Sequence, residues 1–141
     1  MRLGYGLANA ELSTALTEKI QPPYPVSSMS LRMGAKLLDN IDLMKTAVEL
    51  LKTERAALIK ELNKVGGVRA FNSQTNFVLF RTSRQLDEIY QKLVSRGVLV
   101  RIVGQVLHLD NCLRTTVGLP DMNGRLVDVL RTCATDQVDS E

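Results

Sequence analysis

The chain has 141 residues, of which 45% are hydrophobic, 23% charged and 4% aromatic, with a formal net charge of +3, which is typical of a globular domain. The small charge, the lack of tryptophan and the lack of a basic run interleaved with aromatic residues argue against nucleic-acid binding. No apolar run approaches membrane-spanning length and no signal-peptide segment is evident, so we predict a cytoplasmic protein.

The N-terminal part contains two predicted helices. Asn9 is a plausible N-cap for the first, which carries an apolar stripe. In the second, helical spacing predicts that Met29, Met33 and Leu37 are buried. The predicted segments are, in order, a strand-like run over Met1–Asn9, a helix over Asn9–Ile20, an extended proline-rich connector over Gln21–Ser28 and a helix from near Ser28 or Ser30 to about Asp39.

The rest of the chain alternates helices with pairs of short strands. Thr82 and Gln85 predict a capping box, and Gly97 predicts a left-handed helix stop. Met122 and Leu126 begin the predicted inward stripe of the last helix. The predicted elements are a helix over Asp42–Val65, strands over Val68–Phe71 and Asn76–Arg81, a helix over Thr82–Arg96, strands over Val98–Val103 and Cys112–Val117 joined by a polar-tipped loop, and a helix over Pro120–Ala134.

The last two predicted strands each carry one arginine among apolar or β-branched residues, Arg101 in the first and Arg114 in the second. A guanidinium keeps its charge and is costly to hold without an anion or acceptors nearby, so two on neighbouring strands predict a shared anionic ligand. Alternatively, both side chains reach water from the strand ends, and spacing alone favours this second interpretation.

The same stretch resembles the C-terminal part of histidinol-phosphate aminotransferase, a family of fold-type I, pyridoxal-phosphate-dependent enzymes. Residues 96–101 match the family segment R-G-[VI]-[LI]-[VL]-R, and residues 111–118 match N-C-L-R-[IV]-T-V-G. Thr115 replaces the usual aliphatic residue, and Ile102 stands where many members have aspartate. The runs MRLGYGLAN, QPPYPVSS and SQTNFVLFR also resemble family motifs, in the same order along the chain.

The resemblance implies roles for four residues and a cofactor. Arg101 and Arg114 would bind the phosphate end of the substrate, Asn76 would approach the active site, and Arg2 would bind the phosphate of pyridoxal 5'-phosphate. The implied reaction is amino transfer between histidinol phosphate and 2-oxoglutarate. The Schiff-base lysine of the motif would lie upstream of Met1, so we expect a truncated chain that has no catalytic residue of its own and little activity alone.

The resemblance also implies a fold and partners. We expect an α+β small domain over residues 29–141, with helices packed on one face of a short, mostly antiparallel sheet. Residues 1–28 would be a remnant of the large cofactor-binding domain with its linker. The expected partners are a phosphorylated amino alcohol or amino acid, the missing N-terminal half of the enzyme, and a second subunit in a homodimer, with no nucleic acid and no membrane.

Two alternatives stay open. The order of helices and strands also suits a stand-alone two-layer α/β module that binds an anion without catalysis. A related enzyme, such as threonine-phosphate decarboxylase or an aromatic aminotransferase, would use the two arginines equally well. Cys112 and Cys133 lack metal-ligand spacing and are predicted core residues, and no metal site is predicted. His108, the single histidine, is predicted to be an exposed loop residue rather than a general base.

Overall fold

The structure is a computed structural model that describes residues 3–4, 6–20 and 26–135. The chain divides into two compact units, residues 1–47 and residues 48–141. The predicted boundary at residue 28, between a large-domain remnant and a small domain, stays a prediction. None of the helices in the described part of the chain is both long and apolar enough to cross a membrane.

The first unit contains two capped helices. Helix α1 spans Ala10–Lys19, and the side chain of Asn9 accepts a hydrogen bond from the Leu12 N–H at 2.8 Å, so the predicted N-cap is confirmed. Helix α2 spans Ser28–Asp39 and begins after Ser27, whose hydroxyl accepts from the Ser30 N–H at 3.2 Å. Serine and asparagine stabilise these helix starts because their oxygens satisfy otherwise unpaired N–H groups.

The predicted burial of the α2 methionines is wrong. Met29 is 73% exposed and Met33 is 46% exposed, and Leu37 is half-buried. Neither α1 nor α2 contains a buried residue, so the apolar stripes of these helices have no core to face within the described part of this unit. Periodicity predicts which residues share a helix face, but it does not predict what covers that face.

The second unit is built on a four-stranded sheet. Within the described part of the chain, the three strand pairings are antiparallel, and the strand order is β1-β2-β4-β3. The elements are α3 (Ile41–Leu62, which starts in the first unit), β1 (Val68–Ala70), β2 (Phe77–Thr82), α4 (Leu86–Ser95), β3 (Arg101–Val106), β4 (Leu109–Thr116) and α5 (Pro120–Thr135).

The two faces of the sheet differ in burial. In β2, Val78, Phe80 and Thr82 are buried, whereas the residues between them are half-buried. Successive side chains of a strand point to opposite faces, so the buried set defines a covered face and the other set defines an open face. The hydrophobic core joins the covered face to helices α3, α4 and α5, and it includes Leu58, Leu62, Val78, Phe80, Ile89, Leu93, Leu113, Leu126 and Leu130. The predicted α+β fold with helices on one face of the sheet is confirmed.

The hairpin of β3 and β4 differs from its prediction. The strands extend to Val106 and Leu109, so the predicted polar-tipped loop shortens to the two-residue turn Leu107–His108. The pairing is irregular at two places, with Gly104 at φ +76° and Asn111 at φ +56°. Such irregularities depend on backbone geometry that apolar runs do not encode, and they bend the strand that contains them.

Helix α4 starts later than predicted. Thr82 is the last residue of β2, and its hydroxyl accepts from the Arg84 N–H at 3.2 Å, so the predicted capping box of Thr82 with Gln85 is wrong. The helix begins at Leu86 without a side-chain cap. In α5, Met122 is 64% exposed, which corrects its predicted inward position, whereas Leu126 is buried as predicted.

We expect the substitution Gly97→Ala to lower the free energy of unfolding by about 1–2 kcal/mol, because Gly97 has φ +71° and an L side chain is strained there. The N–H groups of Gly97 and Val98 donate to the carbonyls of Val94 and Leu93, both at 2.9 Å, and this bond pair ends α4. Urea unfolding measures the change. The control is Gly66→Ala, where an added Cβ meets nothing within 4 Å. Equal effects at both positions would contradict the expectation.

Candidate anion-binding site

Arg101 and Arg114 lie side by side on the open face of the sheet. They are direct cross-strand partners in the pairing of β3 with β4. Direct partners of an antiparallel pair have Cα atoms about 4.5–5.5 Å apart and point to the same face. Arg114 also pairs with Leu79, which belongs to the half-buried set of β2, so both guanidinium groups belong to the open face.

The Arg114 side chain is backed by an aromatic ring. Its Cζ atom lies 4.7 Å from the centroid of the Phe77 ring, within the range of a cation–π contact. Phe77 pairs with Thr116, two residues beyond Arg114 on β4, so the contact is diagonal across the strand pair. Arg114 is half-buried and Arg101 is exposed. The ring therefore orients one guanidinium and leaves its planar fork free to bind an oxyanion.

The pair has no internal counter-charge. Within the described residues, no carboxylate lies at ion-pair distance from either Arg101 or Arg114. Like charges directly opposite each other destabilise a strand pair. A phosphate or carboxylate between them would remove that repulsion and accept hydrogen bonds from both groups. Two neighbouring cations with no counter-charge among the described residues suit the binding of a small anion.

Asn76 lies at the same end of the sheet. It precedes β2, and its backbone carbonyl accepts the N–H of Val117 at 2.9 Å, just beyond the end of β4. The preceding turn is held by short bonds, among them Ser73 Oγ to the Phe77 carbonyl at 2.6 Å and Arg55 Nη1 to the Thr75 carbonyl at 2.8 Å. The structure thus brings exposed Asn76 to the strand ends that carry the arginine pair, and its predicted role stays a prediction.

A buried amide fixes the segment that leaves β4. The Oδ1 atom of Asn123 accepts from the Gly118 N–H at 2.9 Å, and its Nδ2 atom donates to the Gly118 carbonyl and to Glu54 Oε2, each at 3.0 Å. Asn123 is 8% exposed. A buried amide with its groups satisfied holds its neighbours in one geometry. This clamp and the Phe77 ring were not identified as site features from the sequence, although Gly118 and Asn123 both fall in the family-like start of α5.

The remaining reactive side chains are not placed for catalysis. Burial raises the pKa of the Cys112 thiol, against a smaller opposing effect of Arg81, so the thiol stays protonated and weakly nucleophilic. Cys112 and Cys133 are both buried and free, as predicted. His108 is exposed in the hairpin turn, also as predicted.

Arg2, the residue assigned to the cofactor phosphate by resemblance, lies outside the described residues. The described part of the chain therefore contains none of the residues that the resemblance assigns to pyridoxal phosphate. What the described residues do contain is the Arg101–Arg114 pair, whose charge and position suit the binding of a small anion.

The chain belongs to the aminotransferase class I and II family, whose model matches residues 1–130. It is similar to histidinol-phosphate aminotransferases. It is 37% identical over 131 residues to the one from Caldanaerobacter subterraneus subsp. tengcongensis, covering 93% of this chain and 36% of that protein. It is also 37% identical over 133 residues to the one from Chlorobaculum tepidum, covering 93% of this chain and 37% of that protein.

The fold is also similar to solved aminotransferase structures. The crystal structure of the histidinol-phosphate aminotransferase from Clostridium acetobutylicum superposes with a TM-score of 0.77 at 23% identity, covering 91% of this chain and 39% of that chain. This likeness concerns the fold: the helices and the antiparallel sheet have the arrangement found in part of that aminotransferase structure. The chain spans 36–37% of the length of the curated relatives described above.

Proposed function

We propose that this chain supplies the substrate-phosphate site of a pyridoxal-phosphate-dependent aminotransferase that acts on histidinol phosphate and 2-oxoglutarate. The observation that carries the proposal is the Arg101–Arg114 couple on the open face, which no described carboxylate pairs with, in a chain of the aminotransferase class I and II family. The similarity to histidinol-phosphate aminotransferases supports the choice of a phosphorylated substrate.

In this proposal the two arginines bind and orient the substrate by its phosphate. Arg114, stacked on Phe77, presents a fixed planar fork, and Arg101 approaches the same anion from the neighbouring strand. Anchoring the phosphate holds the far end of the substrate at a fixed place, and such positioning lowers the entropy cost of the reaction. Asn76 adds a neutral amide at the same end of the sheet, where it contacts substrate or cofactor.

The chemistry at the amino group belongs to the cofactor, which supplies an electron sink when it is bound. We propose that Arg2 holds the cofactor phosphate. None of the lysines in these 141 residues occupies the motif position of the Schiff-base lysine. We therefore propose that this chain alone does not transaminate and acts together with a segment that carries that lysine, in a cytoplasmic homodimer.

The proposal is tested with a chimera. The part of the Caldanaerobacter enzyme that precedes the matched segment is fused to this chain, and turnover is measured with histidinol phosphate, histidinol and threonine phosphate. We expect turnover of histidinol phosphate with 2-oxoglutarate, and at least about a tenfold lower kcat/KM for histidinol, because the dephosphorylated compound lacks the anion that the arginines bind.

Three results would contradict the proposal in different ways. Equal turnover of histidinol and histidinol phosphate would show that the arginines do not bind the substrate phosphate. Decarboxylation of threonine phosphate without turnover of histidinol phosphate would assign the chain to the related decarboxylase chemistry. Transamination by the 141-residue chain alone would show that no further segment with a Schiff-base lysine is needed. If the chimera does not fold, calorimetric titration of the 141-residue chain with histidinol phosphate and with histidinol tests the same discrimination.

A further inference from the structure

The open face carries a second arginine pair that the proposed function does not use. Arg69 and Arg81 are direct cross-strand partners in the pairing of β1 with β2. In β2, Arg81 lies between the buried residues Phe80 and Thr82, so its side chain belongs to the open face together with that of Arg69. Arg69 is exposed and Arg81 is half-buried.

The two pairs are adjacent on the sheet. Arg81 pairs with Cys112 and Leu79 pairs with Arg114, so Arg81 and Arg114 are diagonal neighbours on the same face. Diagonal neighbours have Cα atoms about 7–8 Å apart, within reach of long side chains. We call the four residues Arg69, Arg81, Arg114 and Arg101 the arginine band, in their order across β1, β2, β4 and β3.

The second pair repeats the features of the first. The Cζ atom of Arg69 lies 5.6 Å from the centroid of the Phe71 ring, as Arg114 lies over Phe77. No carboxylate within the described ranges is at ion-pair distance from Arg69 or Arg81. Asp110 and Arg81 act in opposite directions on the pKa of the Cys112 thiol, so this carboxylate lies in the neighbourhood of Arg81 without forming an ion pair with it.

We propose that the arginine band binds a ligand with a chain of phosphate groups, Arg101 and Arg114 holding one phosphate and Arg69 and Arg81 holding the next. Four neighbouring guanidinium groups that have no ion-pair partner among the described residues repel one another, and a chain of phosphates would neutralise both pairs together. Only the role of Arg101 and Arg114 rests on the proposed function, whereas the role of Arg69 and Arg81 rests on the register and the missing counter-charges.

The test is isothermal titration calorimetry of the 141-residue chain with inorganic phosphate and with inorganic tripolyphosphate, at one ionic strength because salt screens exposed charges. We expect tripolyphosphate to bind at least about tenfold tighter than phosphate. The double variant Arg69→Gln/Arg81→Gln should lose that preference and keep its affinity for phosphate. Glutamine keeps most of the side-chain stem, so loss of packing is small.

The matched control is Lys60→Gln/Arg96→Gln, which removes the same charge from exposed positions outside the band and should keep the tripolyphosphate preference.

The proposal is overturned if wild-type protein shows no preference for tripolyphosphate, if Arg69→Gln/Arg81→Gln keeps that preference in full, or if the control variant loses it equally. If Arg101→Gln/Arg114→Gln leaves phosphate binding unchanged, the proposed function fails, and so does the part of this inference that assigns one phosphate to that pair. The result for Arg69→Gln/Arg81→Gln then decides separately whether the second pair binds phosphate. Circular dichroism and urea unfolding establish that each variant is folded. The variant Arg69→Lys/Arg81→Lys, which keeps charge but loses the planar forks, should show an intermediate preference.

Discussion

Replacing Arg114 with alanine is expected to weaken the binding of histidinol phosphate by about 10–150-fold, equivalent to about 1.5–3 kcal/mol for hydrogen bonds to a charged group. The side chain is half-buried and stacked on Phe77, so it loses little freedom when it binds an anion. Arg101→Ala should have a smaller effect, because Arg101 is exposed and its charge is better screened. Calorimetry on the 141-residue chain, or KM in the chimera, measures both.

Two further variants make this expectation specific. Arg114→Lys keeps the charge but loses the planar fork and much of the stacking on Phe77, so it should recover only part of the lost affinity. Lys60→Ala removes one positive charge elsewhere and should leave the affinity within about twofold. If Arg114→Ala binds histidinol phosphate as well as wild-type protein does, these arginines do not hold the substrate phosphate.

The substitution Phe80→Ala is expected to lower the free energy of unfolding by about 3–5 kcal/mol. Phe80 is fully buried at 0% exposure in β2 and lies in the core between the sheet and the helices. Removing the ring loses its burial and leaves a cavity that the packed helices cannot fully close. Because domains of this size are stable by about 5–15 kcal/mol, this single change would remove much of the total.

Urea unfolding followed by circular dichroism checks the prediction for Phe80. Leu107→Ala is the control, because Leu107 is 86% exposed in the hairpin turn and its truncation should change the stability by no more than about 0.5 kcal/mol. A loss below about 1 kcal/mol for Phe80→Ala would mean that the covered face is not the core of this unit.

Local signals in the sequence predicted most of the elements. Asn9 caps α1 and Gly97 ends α4, because each position requires a residue type whose chemistry is readable without tertiary context. The long periodic run after Asp42 forms α3, although the helix ends at Leu62 and the chain turns before Gly67 at φ +73°. The 3.6-residue period of the apolar residues indicated the helices, and the glycines indicated where they end.

Features that depend on pairing could not be predicted in this way. The predicted strand start at Val98 is wrong. The N–H of Val98 donates to the carbonyl of Leu93 at the end of α4, and β3 starts only at Arg101. Thr82 matched a helix-start pattern but became the end of a strand, because strand pairing outweighed a local capping preference. Local propensity is a weak prior wherever tertiary contacts compete with it.

In the candidate site, too, some features could be predicted from the sequence and others depend on strand pairing. The family resemblance, and not the spacing, led to the prediction that Arg101 and Arg114 bind one anion. The register makes them direct partners, a relation that no spacing within either strand could reveal. The alternation of residues 77, 79 and 81 could have indicated that Phe77 and Arg81 share a face. The strand order β1-β2-β4-β3, which brings Arg81 diagonally beside Arg114, is a property of the assembled sheet.

The irregular pairing of β3 also affects how the molecule behaves among its own copies. β3 is an outer strand of the sheet, and it carries partly exposed Ile102 and Val103. A straight outer strand of that composition is a template for uncontrolled stacking into fibrils. The register shifts near Gly104 interrupt the regular row of backbone groups along this strand, and such irregularities disfavour edge-to-edge pairing with a neighbouring chain. The geometry that shapes this hairpin is therefore of the kind that limits the association of copies through an outer strand.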